Sequence, residues 1–227
     1  MIECPICKNK ADKENLKKFE SECIFLKFEN INQHLIRYQC SICDVIFGPE
    51  DMLNLTKDQI IKCYHDVYNS GYRESDSIDF EKFLFSLLNP KKDGIYINWG
   101  SGTSSTLESL KNEGYNIYNY DPGIPENEYS LDKIITLKVD GIISNNVIDH
   151  LQNPIEDLLL MKKILKENGV MIHASDGFNY INHFTKFHLF FFVGDSVKFI
   201  SEKINMNYEF IPSPQLGSDI LKFTFKE

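Results

Sequence analysis

From "SIDFEKFLFSLL" onward, short apolar runs alternate with longer segments whose apolar residues recur at helical spacing. After that first helix, the pattern predicts a strand in "GIYINWG", a helix in "STLESLKNEG" ending at Gly114, and a strand in "YNIYNYDPG". A buried strand is predicted in "VDGIISNN", an amphipathic helix in "NPIEDLLLMKKILKENG" stopped by Gly169, and a strand in "VMIHASDG". "GDSVKFISEKINM" reads as a helix, and "YEFIPS" and "DILKFTFKE" as the closing strands. Such alternation builds a parallel sheet covered by helices. Ahead of it, "TKDQIIKCYHDVYNS" reads as a helix with Thr56 as N-cap, followed by the polar stretch "NSGYRESDS". The expected organisation is a small module over 1–50, a helical linker or lid over 51–76, and an α/β domain over 77–227.

The composition fits this picture. At 227 residues, with 42% hydrophobic and 25% charged, the chain affords one full core plus an appendage. A net charge of -9 argues against a partner gripped through its phosphates, and residues 1–50 hold seven Lys and Arg against eight Asp and Glu. No apolar run reaches the ~18 residues needed to span a bilayer, and no apolar segment follows a basic N-terminus. The chain therefore reads as soluble and cytoplasmic, with no membrane partner. Its oligomeric state is not legible.

In a reducing compartment, paired cysteines are more often metal ligands than disulfides. "CPIC" and "CSIC" place Cys4, Cys7, Cys40 and Cys43 as two Cys-x-x-Cys pairs with 32 residues between them. Two such turns supply the tetrahedral four-thiolate set that Zn2+ prefers, and a full set leaves no open position, so the ion would be structural. The long interval predicts an inserted hairpin or helix around "ENLKKFESECIFLKFEN". Cys23 and Cys63 read as packing residues.

In sheets of this kind, ligands bind beyond the carboxyl ends of the strands, where strand order reverses. "NWGSGTS" is the first such loop; Gly100 and Gly102 let the backbone turn tightly and approach a ligand closely. Nineteen residues past Gly102, Asp121 ends the next strand, where a carboxylate can accept both hydroxyls of a ribose. A dinucleotide fingerprint would need glycine where Ser105 stands.

"IYINWGSGTSSTLESLKNEGYNIYNYDP" resembles the first cofactor motif and second strand of class I S-adenosylmethionine-dependent methyltransferases. "DGIISNNVIDHLQNPIEDLLLMKKILKENGVMIHAS" is similar to their fourth strand, following helix and fifth strand, and "FHLFFFVGDSVKFISEKINM" to a later stretch of the same proteins. "YQCSICDVIFGPEDM" looks like the zinc-ribbon end that precedes some members, particularly methyltransferases of small metabolites, sugars and surface-polysaccharide precursors. The resemblance implies a Rossmann-like, seven-stranded, mostly parallel sheet with helices on both faces. It implies that Gly100, Ser101 and Gly102 wrap the methionine part of S-adenosylmethionine, that Asp121 holds the ribose, and that Asn145 and Asn146 lie beside the sulfonium. Tyr68 and Tyr72 fall where such enzymes carry an aromatic lid. Two departures stand out: Asn98 replaces the usual acid at the end of the first strand, and Ser104 replaces a glycine. The stretch from Asp121 to Asp140 is also short for the helix and strand the family fits there; Asp132 is the one adenine contact suggested.

Methyl transfer needs a nucleophile in line with the methyl group, plus a base where the acceptor must lose a proton. The candidate bases are His150, His188 and Asp176, with His183 a further option and His173 a core residue. The loop "SNNVIDH" lacks the Asn-Pro-Pro-aromatic tetrapeptide of base-amine methyltransferases. The expected partner is a small-molecule acceptor, by resemblance a sugar, phosphorylated or nucleotide-linked precursor methylated on oxygen in surface-polysaccharide biosynthesis. The alternatives are a zinc-ribbon ribosomal or transfer RNA methyltransferase, or a non-catalytic relative that only binds the cofactor.

Overall fold

The computed structural model describes residues 1–23, 34–69, 78–124, 130–180, 185–214 and 219–226. The small module opens with the short strands β1 (Ile2–Glu3) and β2 (Lys10–Ala11), which pair around the first Cys-x-x-Cys turn. The expected insertion is a hairpin: β3 (Lys17–Glu22) runs antiparallel to β4 (His34–Gln39), which pairs with β5 (Ile46–Phe47). After α1 (Glu50–Leu53), helix α2 (Lys57–Asn69) begins at a capping box in which Thr56 Oγ1 accepts from the Gln59 amide and Gln59 Oε1 from the Thr56 amide.

Helix α3 (Ile78–Ser86) leads into the large sheet. Its strands are β6 (Ile95–Trp99), β7 (Asn116–Tyr120), β8 (Val139–Asn145) and β9 (Leu165–Ser175), with α4 (Thr106–Asn112), α5 (Leu131–Ile134) and α6 (Pro154–Ile164) between them. The short β10 (Phe190–Phe191) and helix α7 (Ser196–Ile204) precede β11 (Met206–Ile211) and β12 (Asp219–Phe225). The sheet order is β11-β12-β9-β8-β6-β7, with β9, β8, β6 and β7 mutually parallel, β12 antiparallel to β9, and β11 antiparallel to β12.

The sheet has six strands among the described residues, not the seven expected. Between Asp121 and Val139 the described chain forms only the single turn α5 before entering β8, so β7 is left as the sheet edge. Helix α6 also stops five residues before Gly169. Leu165 turns extended (ψ 145°), buries its side chain and pairs with Val139, and the register then shifts before Gly141. Burying Leu165 as a strand residue outcompetes one more helical turn that would end in exposed "KEN".

Both faces of the sheet are covered. Tyr96, Ile117, Ile143, Ile172 and Ile220 pack with Leu84 and Phe85 of α3 and Leu110 of α4. Ile97, Trp99, Ile142, Met171 and Phe223 pack with Leu158 and Met161 of α6 and Val197 and Ile200 of α7. Because strand side chains alternate faces, Asn98 points to the α3 side, like Tyr96.

The small sheet takes its fourth strand from the other end of the chain: β10 pairs antiparallel with β5, Phe190 opposite Phe47 and Phe191 opposite Ile46. The buried Arg37 of β4 donates to the carbonyls of Thr185 (2.6 Å) and His188 (3.1 Å), and Asp44 accepts from the Asp195 amide. The boundary expected after residue 50 is therefore crossed by backbone pairing. Among the described residues no helix is long and apolar enough to cross a membrane.

Candidate functional site

The chain leaves β6 for β7 on one side and returns to β8 on the other, so strand order reverses at β6 and a crevice opens beyond its carboxyl end. The loop there is Gly100-Ser101-Gly102. Gly100 (φ +69°) and Gly102 (φ +53°) both occupy the left-handed region, and a Cβ on Gly100 would stand 2.4 Å from Val147 Cγ2. The Gly100 amide donates to the Tyr120 carbonyl at 2.7 Å, tying the loop to the end of β7. Asp121 fastens it further: Oδ2 accepts from the Gly102 amide at 2.8 Å and Oδ1 from the Gly123 amide at 2.7 Å. Burial raises the Asp121 pKa, and the two amides oppose that rise. Each carboxylate oxygen keeps a lone pair for a further donor. Ser101 Oγ is buried without a hydrogen-bond partner among the described residues, which leaves a hydroxyl for a bound ligand to satisfy.

Asn98 is 2% exposed, and its Nδ2 donates to Glu81 Oε2 of α3 at 3.4 Å. The same oxygen accepts from Ser104 Oγ at 2.6 Å. A carboxylate thus stands beside the loop after all, delivered by the helix, and it meets both positions at which the chain departs from the family pattern. Glu81 was missed from sequence; its signal was an acid inside the apolar stripe of "IDFEKFLFS", one turn before the buried Leu84 and Phe85.

At the end of β8, Asn145 and the following left-handed Asn146 (φ +52°) are half-buried, and Asn146 Oδ1 accepts from the Asp176 amide. Asp176 opens the short turn Asp176–Phe178 after β9 and is half-buried at the same sheet edge. Val147, which closes on Gly100, leads directly into Asp149 and His150.

The structure brings His150 and His188 together, their ring centroids 4.7 Å apart, around Asp149, a residue the sequence reading passed over. Asp149 is fully buried; His150 and His188 side chains are 17% and 13% exposed. Asp149 Oδ1 accepts from Ser175 Oγ at 2.7 Å, while Oδ2 lies 3.5 Å from His150 Nε2 and 3.7 Å from His188 Nδ1. On the other side of its ring, His150 Nδ1 meets Tyr64 Oη of α2 at 3.0 Å. Burial first of all raises the Asp149 pKa, but positive charge on His150 and His188, when they are protonated, and the Ser175 hydroxyl outweigh it and hold the carboxyl below its ordinary value. The Asp149 carbonyl accepts from the Leu189 and Phe190 amides at 2.8 and 3.1 Å, locking the segment that carries His188 against this turn.

His173 is fully buried in β9, bonded through Nδ1 to Ser144 Oγ at 2.7 Å, and burial lowers its pKa to about 3. Tyr68 belongs to the last turn of α2, but its side chain, like Tyr72 and His183 entire, lies outside the described residues. Asp132 is exposed on α5.

About the first strands of the small module, Cys4 Sγ lies 3.6 Å from Cys43 Sγ and Cys7 Sγ 3.4 Å from Cys40 Sγ, and all four sulfurs fall within 4.8 Å of one another. These gaps are too wide for disulfides, whose sulfurs sit about 2.05 Å apart, and match the roughly 3.8 Å spacing of thiolates around a tetrahedral ion with ~2.3 Å bonds. The two turns repeat one geometry: Lys8 (φ 65°) follows Cys7 as Asp44 (φ 59°) follows Cys43, and each amide bonds back to the carbonyl of the first cysteine. The Cys43 thiol, donating to Cys4, lowers the Cys4 pKa to about 6, while burial first of all raises that of Cys7 to about 11. Four thiols so close cannot ionise together without a cation among them.

Residues 72–203 match the family model described as a methyltransferase domain. A comparison with curated proteins returns no match. Among solved structures, the chain is similar to the 1,6-didemethyltoxoflavin N1-methyltransferase of Burkholderia thailandensis, determined with that compound and S-adenosylhomocysteine bound: TM-score 0.55, 11% identity, covering 88% of this chain and 99% of that one. Methyltransferases from Aquifex aeolicus (TM-score 0.52, 13% identity, 76% and 100% covered) and Archaeoglobus fulgidus (0.51, 15%, 71% and 99%) share the fold.

Proposed function

The chain belongs to the methyltransferase-domain family and is an S-adenosylmethionine-dependent methyltransferase, and from that premise we propose that it methylates a small polar acceptor on oxygen. The Gly100-Ser101-Gly102 loop, Asp121 and the Asn98–Glu81 pair form the cofactor side. The observation that favours an oxygen acceptor is the Asp149, His150 and His188 grouping, one turn from the loop through Val147. A hydroxyl must shed its proton to attack a methyl group, and this is a place where that can happen. The net charge of -9 favours a small acceptor over RNA, and the sequence resemblance leans towards a sugar or a phosphorylated or nucleotide-linked precursor. Glu81 speaks against the non-catalytic alternative, since the carboxylate that Asn98 lacks stands beside it.

The four thiols of Cys4, Cys7, Cys40 and Cys43 are proposed to hold a structural Zn2+ with no open position, in a module over 1–50 joined through 51–76 to the catalytic domain at 77–227. Reduced thiols of this kind fit a cytoplasmic setting. Calorimetry with S-adenosylmethionine, followed by transfer of a labelled methyl group to a panel of sugars, sugar phosphates and nucleotide sugars, tests the reading. Saturable cofactor binding and label on an acceptor oxygen are expected; label on nitrogen or carbon only would overturn the oxygen assignment.

A further inference from the structure

We propose that Asp149 Oδ2, His150 Nε2 and His188 Nδ1 form a second metal site, for a first-row divalent cation such as Mn2+, Fe2+, Co2+ or Zn2+. It would differ from the thiolate site in keeping coordination positions open for water or the acceptor's oxygen. The three donor atoms lie within 4.8 Å of one another.

The first argument is spacing. A buried carboxylate paired with a protonated imidazole closes to about 2.7–2.9 Å. Here Oδ2 stands 3.5 and 3.7 Å from the two ring nitrogens, and neither Asp149 Oδ2 nor His150 Nε2 has a hydrogen-bond partner among the described residues. Donors on a tetrahedral shell of ~2.1 Å radius sit about 3.4 Å apart, so the gap is sized for an ion.

The second argument is support. Metal-bound imidazoles usually hand their other nitrogen to a hydrogen-bond partner, which fixes tautomer and orientation. His150 does so through Nδ1 to Tyr64 Oη, and Ser175 Oγ occupies Asp149 Oδ1, leaving Oδ2 for the ion. The Leu189 and Phe190 amides on the Asp149 carbonyl set His188 against the same turn. A fully buried carboxylate needs a cation, and a metal between neutral imidazoles supplies one at any pH near neutrality. Two imidazoles and one carboxylate with open positions suit nitrogen- and oxygen-loving divalent ions, whereas the four sulfurs select zinc.

What the ion would do rests on the methyltransferase reading: an acceptor hydroxyl bound to it loses its proton to solvent more readily. Its oxygen then forms the new C–O bond as the methyl–sulfonium bond breaks and S-adenosylhomocysteine leaves.

Mn2+, which competes poorly for thiolates, is titrated into the zinc-loaded full chain and followed by electron paramagnetic resonance and calorimetry. One bound equivalent is expected, weakened at least tenfold in His150→Gln and in His188→Gln, with S-adenosylmethionine affinity in the same variants reporting that they are folded. No Mn2+, Co2+ or Zn2+ binding beyond the thiolate equivalent, in protein that binds the cofactor normally, would overturn the site and leave the methyltransferase reading standing. Metal binding without cofactor binding would sustain the site and sink the reading of its role.

Discussion

Asn98→Asp restores the acid that the family usually places at the end of the first strand, and the structure predicts that this restoration does harm. Asn98 Nδ2 donates to Glu81 Oε2 at 3.4 Å, with both residues nearly excluded from water at 2% and 6% exposure. A carboxylate in its place meets another at roughly that distance, with one donor lost. At an effective dielectric of about 20, two unit charges 3.4 Å apart repel by about 5 kcal/mol, an upper figure because the pair can keep one shared proton instead. Keeping that proton raises the pair's upper pKa above its unfolded value. The native state then binds more protons than the unfolded one, and stability is lost as pH rises through that window. Urea unfolding at pH 5 and pH 8 reads this directly: the variant should fall several kcal/mol below wild type at pH 8 and less at pH 5. Glu81→Gln combined with Asn98→Asp leaves one carboxylate and one amide and should return to within about 1 kcal/mol of wild type, with S-adenosylmethionine affinity following the same order. An Asn98→Asp protein as stable as wild type at both pH values would refute the idea that Glu81 has taken over the acid's place.

Three further outcomes are expected. Gly100→Ala puts a Cβ 2.4 Å from Val147 Cγ2 at φ +69°, so thermal unfolding should report a loss of about 2–4 kcal/mol, and calorimetry weaker cofactor binding. His173, held neutral with a pKa of about 3 against an ordinary 6.5, makes the unfolded chain the better proton acceptor between those values. Stability is therefore lost as pH falls below 6.5, by up to about 3 kcal/mol from 6.5 to 4.5; His173→Gln should remove that share of the difference between pH 7 and pH 4.5 scans, and an unchanged difference would refute it. Cys40→Ser should reduce bound zinc, measured by elemental analysis, from about one equivalent to well below one and lower the melting temperature, because an incomplete thiolate set binds metal poorly.

The strand–helix alternation was legible because burial on both faces leaves strands such as "GIISN" nearly continuous in apolar residues, and Gly114 ended its helix as read. The six-stranded sheet of the described residues was legible only in part: the short interval from Asp121 to Asp140 stood out, but no apolar run says which strand gives way. The end of α6 was not legible: a helix and a strand joined without a loop share one unbroken apolar pattern, and only the pairing of Leu165 with Val139 divides them. The cysteine pairs and the glycine loop announce themselves by local spacing. Glu81, Asp149 and Tyr64 do not, because their significance arises from contacts across 17 residues to Asn98 or 86 residues to His150, and a single sequence carries no record of which distant side chains meet.

The same long-range pairing gives the thiol cluster a consequence beyond its own fold. Cys40 and Cys43 form the turn between β4 and β5, and β5 pairs with β10 immediately after His188. From β4, Arg37 reaches the carbonyls of Thr185 and His188 while its guanidinium lies 5.2 Å from the Phe191 ring centroid. The small module therefore braces the segment that brings His188 to Asp149. A module of this size buries little core, so a metal held by the four thiols would fix the register of β4 and β5. Such an ion, doing no chemistry itself, would in this way help to decide whether the imidazole cluster beside β10 is assembled.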